Sequence, residues 1–190
     1  TSSKMYVFGG YGSGGNTTYN DTWVFDPSGG GDGTWTNASP ASPPPSRVDH
    51  SAVWSSTNNK IYVFGGRNSG GFLNDLWSYD IAGNTWAELS PTSPPTARDK
   101  HISTWDSLNN KMYVFGGRLQ SGTKLDELWD YDITGNTWTE LFPTGATPTA
   151  RLASAAVWDN TTKNMVFFGG SGASGALSDT QAYAVREVAS

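Results

Sequence analysis

The chain is 190 residues long, carries a formal net charge of −5 and has a pI near 4.8, a balance that argues against a nucleic-acid backbone as partner. It contains no cysteine, which excludes disulfides, thiolate metal sites and a cysteine nucleophile. Its apolar runs all fall short of the roughly 20 residues of a membrane helix.

The chain begins at Thr1 with neither an initiator Met nor a signal peptide, and it reads as a processed or excised piece. A cysteine-free composition rich in Gly, Ser, Thr and Asn is compatible with an exported protein, extracellular or periplasmic. The first strong element is Lys4-Met5-Tyr6-Val7-Phe8-Gly9-Gly10. It recurs as Lys60 to Gly66, Lys111 to Gly117 and, more weakly, Asn164 to Gly170, so the Gly pairs step by 56, 51 and 53 residues. In each copy both alternating faces are apolar, as in a strand buried on two sides. Trp23, Trp77 and Trp129 share a second slot, Trp35, Trp86 and Trp138 a third, and Arg47, Arg98 and Arg151 a fourth.

One unit, taken from the second copy, shows the expected order. Strand a spans Arg47 to Trp54, a polar turn follows, and strand b spans Lys60 to Gly66. A Gly-rich loop leads to strand c at Asp75 to Asp80, a turn at residues 81–84, and strand d at Thr85 to Leu89. A proline-bearing link then leads to the next unit. The repeats fall at about 1–46, 47–97, 98–150 and 151–190 and are read together as one domain. The first lacks strand a, and the last lacks strand d and both Trp landmarks, with Gln181 in the first Trp slot.

Four antiparallel strands in roughly 50 residues is the signature of a propeller blade. With the double Gly after an apolar strand, the pair Trp77-x-Tyr79, Trp86 after a short turn, and Arg47-x-x-His50 opening the unit, the chain resembles the kelch-repeat β-propellers. The resemblance implies an all-β propeller of four-stranded blades, about three and a half to four of them here. Kelch propellers usually close with six or seven blades. An unclosed arc leaves apolar blade faces in water and favours association, through a homodimer or a larger parent; a small four-bladed ring is the alternative.

Strand parity puts the b–c and d–a loops on one face of the disc. Arg47, Arg98 and Arg151 start strand a there, and Arg67 and Arg118 directly follow the Gly pairs. Arg47, Arg98 and Arg151 repeat in step with Asp21, Asp75, Glu127 and Asp179, which fits a structural ladder. Arg67 and Arg118 break the repeat, since Tyr11 and Ser171 fill their slot in the outer units; they are the preferred functional arginines, against the plainer reading of solvated loop charges. By resemblance, Arg47, Arg67, Arg98, Arg118 and Arg151 together line a mouth that accepts acidic or polar partners. Tyr11, Tyr19, Phe72 and Phe142 lie outside the pattern on the same face, and Tyr11 and Phe72 join the candidate binding set. The repeated Trp residues are expected to fill space between blades rather than bind sugars.

For catalysis the sequence offers no convergent constellation. His50 and His101 occupy one slot in successive units, where Ser154 replaces them, and Asp126-Glu127 aligns with Asn74-Asp75 and Asn20-Asp21. No metal site and no cofactor are expected, and no Gly-rich stretch precedes a helix as a phosphate loop would. The favoured function is a non-catalytic module that presents the arginine face to a protein, a peptide or a small anionic or polar ligand. The alternatives are an enzyme completed by missing blades or a partner chain, and an assembly role for the open blades.

Overall fold

A computed structural model describes residues 3–14, 17–143 and 147–184. All regular structure among them is β. The strands are β1 (Met5–Tyr11), β2 (Thr18–Asp26), β3 (Thr34–Asn37), β4 (Ser51–Ser55), β5 (Lys60–Phe64), β6 (Arg67–Asn68), β7 (Gly71–Phe72), β8 (Leu76–Asp80) and β9 (Thr85–Leu89). They continue with β10 (Ile102–Asp106), β11 (Lys111–Phe115), β12 (Leu128–Asp132), β13 (Thr137–Leu141), β14 (Ala155–Asp159), β15 (Asn164–Phe168), β16 (Ser171–Gly172), β17 (Gly175–Ala176) and β18 (Thr180–Ala184). Four antiparallel meanders result: β1-β2-β3, β4-β5-β8-β9, β10-β11-β12-β13 and β14-β15-β18. These are the b-c-d, a-b-c-d, a-b-c-d and a-b-c blades that the repeat predicts, numbered one to four below.

Strand d falls where the spacing puts it, whereas strands a and b are shorter than expected. Strand b ends at Phe64 because Gly65 and Gly66 sit at φ +60° and +89°. The segment expected to open strand a is instead a turn, with Asp49 at φ +57°, and pairing begins at Ser51. Both glycines are demanded by close approaches. A Cβ on Gly65 would stand 3.0 Å from the Arg98 carbonyl of the following blade, and one on Gly66 would stand 2.6 Å from the Val48 carbonyl of its own.

Blades stack through both faces of strand b. Tyr62 and Phe64 of blade two, with Val53, meet Met112, Val114, Tyr131 and Trp138 of blade three. Tyr113 and Phe115 of blade three meet Met165, Phe167 and Tyr183 of blade four. Tyr6 and Phe8 of blade one meet Val63, Tyr79 and Trp86 of blade two. The strand-d Trp therefore faces the preceding blade. Trp86 and Trp138 lie 4.8 Å from Phe8 and Phe64, centroid to centroid, and are buried, whereas Trp35 of blade one is 50 % exposed. The outer face of blade one (Met5, Val7, Trp35) and that of blade four (Val157, Phe168) are both open, although their slot-mates inside the arc are covered.

Candidate functional site

The d–a links arrive beside the b–c loops of the preceding blade, as strand parity requires. Gly10, Gly66 and Gly117 donate their N–H to the carbonyls of Arg47, Arg98 and Arg151 at 2.9 Å. The arginine N–H groups return to Tyr19, Leu73 and Leu125 carbonyls at 3.1, 3.0 and 3.0 Å. Each arginine thus joins two blades through its backbone.

Its side chain works within its own blade. Arg47 donates to both oxygens of Asp75 at 2.6 Å and to the Gly65 carbonyl at 3.1 Å. Arg98 reaches Glu127 at 2.6 Å, and Arg151 grips Asp179 through both terminal nitrogens at 2.7 and 2.8 Å. Burial alone would raise the Asp75 and Glu127 carboxyls; hydrogen bonds from the arginines and from the Trp77 and Trp129 indoles outweigh it and hold both below their ordinary values. Arg151, then Gln181, does the same for Asp179. All three arginines are buried, with their guanidinium groups engaged inside the blade. They are buried within the blades rather than exposed on the loop face.

Arg67 and Arg118 are placed differently, at the surface of the b–c loops and close to the inner ends of the d–a links. Both pair with those links through single bridges: Arg67 bridges Val48, and Arg118 bridges Asp99. Arg118 grips Asp99 through Nε at 3.1 Å and Nη2 at 2.7 Å. Arg67 donates from Nε to Asp49 at 2.9 Å and lies 3.1 Å from the same Asp99 carboxylate. The Asp99 hydrogen bond raises the Arg118 guanidinium; at Arg67, partial burial pulls down and Asp49 overrides it, so that its value is raised too. Asp99 is fully buried and each arginine side chain is 31 % exposed. The acids are bonded through Nε of Arg67, so its Nη pair is not spent on them.

Each of these arginines lies over an aromatic ring of the preceding blade. Arg67 stands 5.5 Å from the Tyr11 ring centroid and Arg118 stands 5.6 Å from that of Phe72, contacts worth about 0.5–1 kcal/mol each when exposed. At the third joint, Lys124 donates to the Ser171 hydroxyl at 3.1 Å and to the Gly172 carbonyl. Four of the expected residues, Tyr11, Arg67, Phe72 and Arg118, therefore share one row of inter-blade contacts. Tyr19 and Phe142 are exposed and take no part in that row. Sequence reasoning missed Asp49, Asp99 and Lys124. A signal was available, because two acids that follow Arg47 and Arg98 at different offsets break the repeat just as Arg67 and Arg118 do.

His50 and His101 lie edge-on to Phe8 and Phe64 of the preceding blades. Burial, reinforced by the neighbouring Arg47 and Arg98 charges, holds them down to about 4 and about 3 respectively. Among the described residues no group of three or more His, Cys, Asp or Glu is placed to hold a metal ion. No helix among them is long and apolar enough to cross a membrane.

Residues 90–189 match the KLHDC2/KLHL20/DRC7 Kelch-repeats domain, and residues 5–107 match the Attractin/LZTR1 beta-propeller. The Adagio-like protein 1 of Oryza sativa subsp. japonica is 33 % identical over 181 residues, covering 92 % of this chain and 28 % of that protein. Adagio protein 3 of Arabidopsis thaliana is 34 % identical over 149 residues, 75 % of this chain and 23 % of its own length. The host cell factor homolog hcf-1 of Caenorhabditis elegans is 34 % identical over 111 residues, half of this chain and 14 % of its length. The chain thus spans 28 % or less of the length of each of these relatives.

Proposed function

The chain belongs to the kelch-repeat β-propellers, a family whose propellers generally bind other proteins, and from that premise we propose that it is a non-catalytic binding module whose mouth takes an acidic or polar segment of a partner protein. The observation that carries this reading is the pair Arg67 and Arg118: half-exposed, outside the repeat, and each braced by an aromatic ring and a carboxylate. Bracing fixes the guanidinium planes before a ligand arrives, so less side-chain entropy is lost on binding. The Nη pair of Arg67 is the group suited to a ligand carboxylate. Arg47 and Arg98 act behind the site, by fixing the links that carry Asp49 and Asp99.

The test is selection of a phage-displayed library of linear peptides on the chain. The expected pool is enriched in Asp and Glu, and Arg67→Ala is expected to weaken its members by about tenfold or more, about 1.4 kcal/mol, with a smaller fall in thermal midpoint than Arg118→Ala gives. Arg67 is the cleaner of the two sites, since Arg118→Ala also strips the buried Asp99 of its bidentate partner. Unchanged affinities for Arg67→Ala and for Phe72→Ala would refute the assignment. A second reading, pairing of two copies through the open blade faces, is favoured by the exposure of Met5, Val7 and Trp35 at one end and Val157 and Phe168 at the other.

A further inference from the structure

β4, β10 and β14 stand side by side from blade to blade, and the residue two places before each lies at the same turn. These residues are Asp49, Lys100 and Ala153, each two positions after a buried arginine, with φ of +57°, +55° and +56°. Main chain joins them into a row. Lys100 donates its N–H to the Asp49 carbonyl at 2.8 Å, and Ala153 donates its own to the Lys100 carbonyl at 2.8 Å. One backbone geometry therefore carries an acid, a base and a methyl group in successive blades. The fold makes no demand on the side chain there, and its chemistry is free to answer to whatever meets the surface.

A separate observation is the balance of charge around Lys100. Arg67 and Arg118 are matched by Asp49 and Asp99, four charges that sum to zero. Lys124, at the next joint, spends its ammonium on the Ser171 hydroxyl and the Gly172 carbonyl, and Lys4 and Lys111 pair with Asp26 and Asp130. Lys100 is half-buried, and among the described residues its ammonium makes no ion pair or hydrogen bond. Its main chain adjoins both Asp49, whose carboxylate holds Arg67, and Asp99, whose carboxylate holds Arg118. A neutral quartet exerts little pull beyond contact distance. One uncompensated cation beside it sets the sign of the field that a ligand meets.

We propose that Lys100 is the specificity-determining residue of the mouth, the group that makes it select carboxylate-bearing segments over neutral or basic ones. The inference rests on the reading of Arg67 given above and divides the labour between the two cations. Arg67, its plane already fixed, holds a carboxylate through two parallel bonds and governs release. Lys100, a point charge on a flexible stem, governs capture and the sign of what is captured. The row itself supplies the variants. Lys100→Ala installs the side chain of Ala153, and Lys100→Asp that of Asp49, each on a backbone that already carries it at the same φ. Both are expected to keep a thermal midpoint close to that of the unaltered chain.

The experiment repeats the phage selection on the Lys100→Asp and Lys100→Ala chains. The most enriched acidic peptide of the unaltered chain, acetylated and amidated so that only side chains carry charge, is then followed by surface plasmon resonance at about 50 mM and about 500 mM salt. Lys100→Asp is expected to turn the pool from Asp and Glu toward Lys and Arg. Lys100→Ala should slow association of the acidic peptide by about fivefold at the lower salt and by less than about twofold at the higher, with dissociation little changed. Arg67→Ala should instead speed dissociation. An association rate that Lys100→Ala leaves unmoved at low salt, or an acidic pool kept by a folded Lys100→Asp chain, overturns the proposal; the alanine variant decides it should the aspartate variant fail to fold. A dissociation rate unmoved by Arg67→Ala, with the Lys100 effects present, sinks the arginine reading and confines the contact to the lysine. A pool from the unaltered chain with no acidic enrichment overturns both.

Discussion

Arg98 sits at the central joint of the arc, and Arg98→Met isolates what its side chain contributes. The substitution keeps an unbranched stem of similar length and leaves the inter-blade backbone bonds in place. Lost are the hydrogen bonds to Glu127 at 2.6 Å, to the Thr96 carbonyl at 3.0 Å and to the Gly116 carbonyl at 3.3 Å. Removing one partner of a buried pair costs about 3–5 kcal/mol. Glu127 is 33 % exposed and can regain some water, which places the expected loss near the lower end, about 3 kcal/mol. With a urea m-value of about 2 kcal/mol/M, the unfolding midpoint should fall by about 1.5 M. Arg98→Met combined with Glu127→Met should recover much of that loss, since no carboxylate is then left against an apolar wall. A midpoint shift below about 0.5 M, or a double variant no better than the single one, would show that the arginine–carboxylate pair does not stabilise its own blade as argued.

The buried histidines give the fold a pH dependence of defined sign. With native values of about 4 for His50 and about 3 for His101, and an unfolded value near 6.5, the unfolded chain takes up protons first as pH falls. Their contribution is intact above about pH 6.5 and is lost toward about pH 4 for His50 and about pH 3 for His101, by about 2 kcal/mol for each histidine at pH 5. Urea unfolding at about pH 7.5 and about pH 5 should show that drop, and His50→Ser with His101→Ser, the residue blade four uses, should flatten it. Equal slopes for the two proteins would contradict the assignment. Light scattering across a dilution series checks the pairing of open blade faces: a stable dimer is expected, one that Phe168→Asp dissolves, and a monomer at every concentration would rule it out.

The strand order of the four meanders among the described residues could be read from the sequence, because the Gly pair and the Trp slots are local demands that recur in register. Gly65 must stay small for the Arg98 carbonyl, and Gly9 for that of Arg47 at 2.9 Å. What could not be read was depth. Arg47 and Arg67 are both arginines on loops of one face, and no periodicity separates a guanidinium bound to its own blade from one at the surface. The partners that decide the matter, Asp75 for Arg47 and Asp49 with Asp99 for Arg67, lie 18 to 32 residues away. Asp99 was hidden for the same reason: next to the buried Arg98 in sequence, it is drawn toward Arg118 in space.

The division of labour at the joints explains why variation is tolerated in the side chains of the b–c loops. Backbone hydrogen bonds between a Gly pair and the following link hold successive blades together, and they are the same at Gly10, Gly66 and Gly117. The side chains just above them are under no such demand, and one row accordingly carries Tyr11 over Arg67, then Phe72 over Arg118, then Lys124 on Ser171. A joint made by main chain can change its surface chemistry without losing its geometry. Departure from the repeat at a joint is therefore evidence of what the surface meets, while adherence to it, as at Arg47, Arg98 and Arg151, is evidence of what the fold requires.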